Sequence, residues 1–236
     1  MKATKKWLSG LGIMALGLVL ASCGTQTHSK SKASNKTLTV TASQAIATAD
    51  PNKADDVVSE AAIAQFMEGL YTTNTKGKVI PAIATKVVKP TNGGKRYTFT
   101  LRHNAKWSNG QKVTAADFVY AFQRQVDPTT KSQEIGHLTE VQNAAAIMAG
   151  KKPVKSLGIK ALGKYKLQIT LSQKTPYFNY RLATELYPLN PTFTQKYGNK
   201  YGTTAAKTLS NGPYILKDWD GTSDTWKYVK NPNYYD

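Results

Sequence analysis

Apolar positions recur along this chain with two periods. Between Arg96 and Arg102, Tyr97, Phe99 and Leu101 alternate with Arg96, Thr98, Thr100 and Arg102. That is the period-2 pattern of a half-buried strand. Trp107 then precedes Ser108-Asn109-Gly110, a turn signal. Thr114, with Asp117 three residues on, makes a capping box that opens a helix. Phe118, Val119, Phe122 and Val126 form the apolar stripe of that helix, and Asp127-Pro128 stops it, because proline cannot donate the next helical hydrogen bond. The result is a strand, a turn and a helix with one aromatic-rich face.

The same two periods organise the rest. Leu38–Thr41 is a first strand, and Asp50-Pro51 turns the chain. Ile63, Phe66, Met67 and Leu70 fall at helical spacing, with Val57 or Val58 a turn or more earlier and Asp55 or Asp56 as a natural N-cap. Lys86–Lys89 is expected as a short strand, joined through Asn92-Gly93-Gly94 to the Arg96 strand as a hairpin. Val141, Ala144, Ala145 and Met148 mark a further helix closed by Gly150. Leu157–Leu162 and Lys166–Leu171 read as a hairpin turning at Gly163-Lys164, with Leu167, Ile169 and Leu171 on its buried face. Pro176–Tyr180 starts a helix, Phe193–Gly198 is a short one, and Ile215–Trp219 with Trp226–Asn231 closes as a last hairpin. Pro188 and Pro191, three residues apart, fit a crossing between domains. Strands and helices mix along the whole chain, which places it in the α/β class.

Residues 1–22 read as a targeting leader. Lys2, Lys5 and Lys6 make a positive n-region, and Trp7–Ala21 is an apolar stretch somewhat short for a membrane span, which needs roughly 17–25 residues. Leu20-Ala21-Ser22-Cys23 resembles the lipobox of bacterial lipoproteins, which implies cleavage before Cys23 and acylation of its sulfur. The alternative is an ordinary signal peptide with an incidental cysteine. Cys23 is the only cysteine, so no intramolecular disulfide forms. Residues 23–37 are rich in Ser, Thr and Lys without apolar periodicity, as expected of a flexible tether. Two acyl chains on Cys23 would be enough for stable membrane attachment.

Three stretches resemble one family. Y-T-F-T-L-R from Tyr97, A-K-W-S-N-G from Ala105 and V-T-A-A-D-F-V-Y-A-F from Val113 are similar, in this order, to the signature of the family 5 extracytoplasmic solute-binding proteins of ABC importers, the oligopeptide-binding class. G-K-K-P from Gly150, L-G-I-K-A-L from Leu157, Y-K-L-Q-I-T-L from Tyr165, N-G-P-Y from Asn211 and N-P-N-Y-Y-D from Asn231 extend the resemblance over most of the chain. It implies a periplasmic-binding-protein-like (type II) fold of mixed sheets with helices. The first lobe would comprise residues 38–71 plus 188–236, with a small α/β domain inserted over 72–187. Members of the family are about twice this length. The resemblance therefore implies a second lobe beyond Asp236, carrying much of the peptide pocket, which these residues lack.

The resemblance also implies a function without covalent chemistry. The protein would capture oligopeptides outside the cell and deliver them to permease subunits with their ATPases. It would be a monomer, held by its lipid on the outer face of a bacterial membrane of Gram-positive type, and would use no cofactor. In this family the segment between the D-P turn and the E-G-L helix end, here Asp50-Pro51 and Glu68-Gly69-Leu70, lies at the mouth of the cleft. The matching positions are Asp55, Asp56 and Val57; the alternative reading is that the two acids only cap their helix. Members often carry an aromatic residue against the peptide where this chain has Gln133-Glu134. Glu134 is then either a cleft residue or a plain surface acid.

Composition narrows the field further. The formal net charge is +18, and removing Lys2, Lys5 and Lys6 with the leader lowers it by three to +15. The lysines are scattered, and no compact basic-aromatic motif speaks for nucleic acid. Attraction to an anionic cell envelope, screened by salt, is the plainer implication. A basic surface lipoprotein that binds anionic wall polymers or acts as an adhesin is therefore the rival reading. Three histidines, His28, His103 and His137, show no metal-ligand spacing. Neither a G-x-S-x-G elbow nor a phosphate-binding G-x-x-x-x-G-K-[ST] loop occurs.

Overall fold

The computed structural model describes residues 37–236. The leader, Cys23 and almost all of the tether lie outside the described residues. In chain order the strands and α-helices are β1 (Thr37–Thr41), α1 (Val57–Phe66), β2 (Tyr71–Thr73), β3 (Val79–Pro81), β4 (Arg96–Thr100), α2 (Ala115–Val126), α3 (Ala144–Met148), β5 (Ile159–Gly163), β6 (Lys166–Thr170), α4 (Phe178–Thr184), α5 (Pro191–Tyr197), β7 (Tyr214–Lys217) and β8 (Thr225–Lys230). They build one sheet of order β1-β8-β7, another of order β4-β6-β5 and the hairpin β2-β3. The pairings within them are antiparallel.

The signature unit forms as its pattern demands. Tyr97 and Phe99 of β4 and Leu167 and Ile169 of β6 point inward and are buried, while Arg96, Thr98, Lys166 and Gln168 face out. Trp107 is fully buried and its indole Nε1–H donates to Asp117 Oδ2 at 3.0 Å. The same oxygen accepts the Thr114 N–H at 2.9 Å, so one carboxylate both caps α2 and satisfies the buried indole. Phe118, Ala121, Phe122 and Val126 carry the helix into the core, and Asp127 ends it ahead of Pro128.

Two expectations change. Residues 86–89 are not a strand. β4 pairs along its length with β6 (Gln168 bonds Thr98, 70 residues away), and its other side makes only isolated bridges, Ala84 with Leu101 and Thr91 with Arg96. The reason is local. Pro90 has no N–H to offer a ladder, and the Val88 N–H is taken by the Tyr71 hydroxyl at 2.9 Å. Helix α1 also stops at Phe66, with Met67 extended, although Met67 and Leu70 stay buried beyond it. Gly69 lies so close to the next layer that a Cβ there would sit 2.7 Å from the Leu186 carbonyl oxygen. The backbone leaves the helix to make that approach.

One ion pair fastens the first segment to α2. Arg124 forks onto Asp50, with Nη1 to Oδ1 at 2.9 Å and Nη2 to Oδ2 at 2.6 Å, and Nη1 also reaches Asn52 Oδ1 at 3.1 Å. The Asp50 side chain is 1% exposed and that of Arg124 is 14% exposed, so this pair is held away from solvent.

Candidate ligand pocket

The Asp50–Arg124 link positions a small acidic pocket beside it. Pro51 and Ala54 come just after Asp50 along the chain, and Glu60, Ile63 and Ala64 come from α1. Thr184 is the last residue of α4, and Glu185 and Tyr187 lie immediately beyond it; Glu134 and His137 come from a 3-10 turn over Ile135–Leu138. These residues enclose about 90 Å³. The turn is tied down by α2, because Gln125 Nε2 donates to the Glu134 carbonyl at 2.9 Å and Gln125 Oε1 accepts from Asn52 Nδ2 at 3.4 Å. Asn52 in turn meets Arg124. The buried polar chain Arg124, Asn52, Gln125 therefore sets where Glu134 stands.

Two carboxylates meet one imidazole here. His137 Nε2 lies 2.7 Å from Glu134 Oε2, and its Nδ1 lies 3.7 Å from Glu185 Oε2. Arg181 Nη1 is 3.4 Å from Glu185 Oε2 and its Nη2 is 3.7 Å from Glu140 Oε1, which also accepts from the Tyr177 hydroxyl at 2.8 Å. Glu60 has no such partner in the pocket. Partial burial, and then the neighbouring Glu134 charge, push its carboxyl above the usual range, against the pull of His137. The arrangement offers acceptor oxygens over an apolar floor of Ile63 and Ala54. It suits holding N–H groups and contains no nucleophile paired with a base. Among the described residues no group of three or more His, Cys, Asp or Glu is arranged to hold a metal ion. No described helix is long and apolar enough to cross a membrane.

The expected site residues divide between two places. Glu134 lies in the pocket. Asp56 is the N-cap of α1, its Oδ1 accepting the Ser59 N–H at 2.9 Å, and Asp55 stands exposed just ahead of it. Val57 is 80% exposed and borders an apolar groove of about 360 Å³ with Leu38, Val40 and Trp226. Asp55, Asp56 and Val57 do not line the acidic pocket. The sequence does not single out Glu60, His137 or Glu185 as site residues. They come from three segments far apart in the chain, and no local spacing links them.

Residues 78–236 match the profile described as "Bacterial extracellular solute-binding proteins, family 5 Middle". The chain belongs to this family. The family 5 solute-binding chain is 38% identical over 224 residues to the dipeptide-binding protein of Lactococcus lactis subsp. cremoris, covering 93% of this chain and 40% of that relative. It is 35% identical over 240 residues to the periplasmic oligopeptide-binding protein OppA of Salmonella typhimurium, covering 99% of this chain and 43% of the relative. Among solved structures, Listeria monocytogenes OppA bound to peptide superposes with a TM-score of 0.81 at 42% identity, over 84% of this chain and 39% of that one. The substrate-binding domain of an oligopeptide ABC transporter from Bacillus anthracis gives 0.80 at 41% identity, over 83% of this chain and 38% of that one. The solute-binding chain thus has the α/β, periplasmic-binding-protein-like fold that its motifs imply, and it spans about 40% of the length of these relatives.

Proposed function

We propose that this chain is part of an extracytoplasmic receptor that captures oligopeptides and delivers them to an ABC import permease with its ATPases. The carrying observation is the match to peptide-bound Listeria OppA at 42% identity. Asp55, Asp56, Val57 and Glu134 are its proposed peptide contacts in this part of the protein. Exposure of Asp55 and Val57, and the pocket position of Glu134, support that reading. We assign residues 38–71 with 188–236 to one domain and 72–187 to another inserted into it. Support comes from strand pairing: one sheet draws on Thr37–Thr41 and Tyr214–Lys230, the other on Arg96–Thr170. Ligand capture in such a receptor would close two lobes about a hinge.

Calorimetry with a mixed oligopeptide pool tests this reading. The chain is compared with a version extended by the remaining length of a close relative. The extended form is expected to bind with the higher affinity, and absence of binding by both forms would refute the proposal. In the extended form, Asp55→Asn combined with Asp56→Asn should weaken binding of peptides with a cationic group by roughly tenfold, the worth of one charge-assisted hydrogen bond. Asparagine caps helices about as well as aspartate, so α1 keeps its cap and the loss reports charge alone. Unchanged affinity would remove both residues from the site.

Membrane attachment through an acylated Cys23 on the outer face of the cell membrane is part of the same proposal. It rests on Leu20-Ala21-Ser22-Cys23 at the end of the apolar leader. Cys23→Ala is expected to move the protein from the membrane fraction to the soluble one. Full retention of the variant on membranes would exclude lipid anchoring at this residue.

A further inference from the structure

The outward face of the β4-β6-β5 sheet carries a concentration of charge that peptide capture does not use. Between Glu68 and Asp117 the sequence has nine Lys and Arg and no Asp or Glu, and between Glu140 and Glu185 it has eight and none. All three strands of this sheet fall inside those two stretches. The register places Arg96 opposite Thr170, Thr98 opposite Gln168 and Thr100 opposite Lys166, with Lys160 beside Gln168 on the other flank. The exposed side chains of these strands are therefore mainly lysine, arginine, threonine and glutamine, with Leu162 at the end of β5, and no strand contributes a carboxylate. Outside β4, the irregular segment Lys86–Thr91 runs alongside and walls a groove of about 450 Å³ lined by Lys86, Lys89, Thr91, Arg96 and Thr98. Among the described residues none of Lys86, Lys89, Arg96, Lys160 or Lys166 lies within ion-pair distance of a carboxylate.

Like charges brought together without counter-charges repel, and an anionic partner relieves the repulsion. The exposed cations Lys86, Lys89 and Arg96 flank a groove that residues 86–91, Val87 and Val88 among them, wall on one side, a shape that suits a thin chain better than a flat bilayer. The face and its groove present no aromatic ring, so nothing there would stack on a nucleobase. We propose that the groove bounded by Lys86, Lys89 and Arg96 binds a linear phosphodiester polymer lacking bases, by its repeating phosphates. The partner lies outside the cytoplasm, as the family does. This surface is separate from the acidic pocket and does not depend on peptide binding.

Poly(glycerol phosphate) is the probe. Its binding to the purified chain is measured by calorimetry at about 50 mM and about 200 mM salt, with a loss of about tenfold or more expected across that range. Combining Lys86→Glu, Lys89→Glu and Arg96→Glu should weaken binding at the lower salt by about tenfold or more. A control with the same change in net charge, Lys196→Glu, Lys200→Glu and Lys217→Glu, should cost less than about threefold. If the triple groove variant does not fold, Lys86→Glu with Lys89→Glu, both outside any strand, takes its place. Equal losses in groove and control variants would overturn the proposal in favour of a diffuse field. Tighter binding to phosphatidylglycerol vesicles than to the polymer would overturn it in favour of a membrane surface. Absence of polymer binding at the lower salt would end it outright.

Discussion

Asp50→Ala should lower the stability of the chain by about 3–5 kcal/mol, the cost of stranding a buried charge whose partner is removed. Arg124 loses both arms of its fork and keeps only the Asn52 oxygen. Its guanidinium stays ionised in any folded protein, so it cannot escape by losing a proton. The backbone is fitted to the same place. Gly202, at φ +73°, lies so close that a Cβ on it would be 2.4 Å from the Asp50 nitrogen, and its carbonyl accepts the Ala49 N–H at 2.8 Å. Replacing both members, Asp50→Ala with Arg124→Met, should recover a substantial part of the loss, because no charge is then left unpaired. Urea unfolding measures both variants. A loss below about 1 kcal/mol for the single variant would mean that water screens the pair as it does surface pairs. The pocket should respond as well, since Arg124 holds Asn52, Asn52 holds Gln125, and Gln125 holds the Glu134 carbonyl.

Asp117 supplies the second large effect, and it depends on pH. Burial raises its carboxyl to about 6, against the Thr114 N–H, the Trp107 indole and the Thr114 side chain, which favour the charged form. Its unfolded value is about 3.9, so between the two values the folded chain binds the proton more tightly than the unfolded one. The resulting stability is fully present below the unfolded value and is lost as pH rises through about 6. Measured against Asp117→Asn, which does not titrate, the native chain should gain roughly 2–3 kcal/mol as pH falls from about 6 to about 4. A trend of the opposite sign would show that the N–H donors outweigh burial. Asp117→Ala should cost about 2–3 kcal/mol near pH 6, because the buried Trp107 indole is left without an acceptor, and more at lower pH, where the native chain also gains from protonation of Asp117.

These two sites show what a linear reading reaches. Thr114 and Asp117 are three residues apart, and their capping role comes from that spacing. The alternations of Tyr97, Phe99 and Leu101 and of Leu167, Ile169 and Leu171 identify buried strand faces, because a strand turns its side chains over every residue. The motifs also carry the family, which fixes the fold class. Spacing does not carry partner choice. β4 takes β6 and not residues 86–89, because a proline and a tyrosine hydroxyl 17 residues away from Val88 remove the nearer option. The indole-to-carboxylate bond of Trp107, the fork of Arg124 on Asp50 and the meeting of Glu60, Glu134, His137 and Glu185 are all tertiary. Glu134 is legible as a candidate only through the family position it occupies, and its companions have no such mark.

The pairing of β1 with β8 sets an order of events for a polypeptide that emerges amino terminus first. Thr41 and Thr225, which bond side chain to side chain across that ladder, are 184 residues apart. The β4-β6-β5 sheet is closed by residues 96–170 and can assemble as soon as these are available. Leu38 and Val40 have to wait, as an unpaired and partly apolar strand, until residues 225–230 have appeared. Ladders of such long range form late, and waiting strands are where chains stick to one another. A holding factor at the exit site, or rapid delivery of the last ladder strand, would therefore matter more to the yield of this protein than the intrinsic stability of its finished sheet.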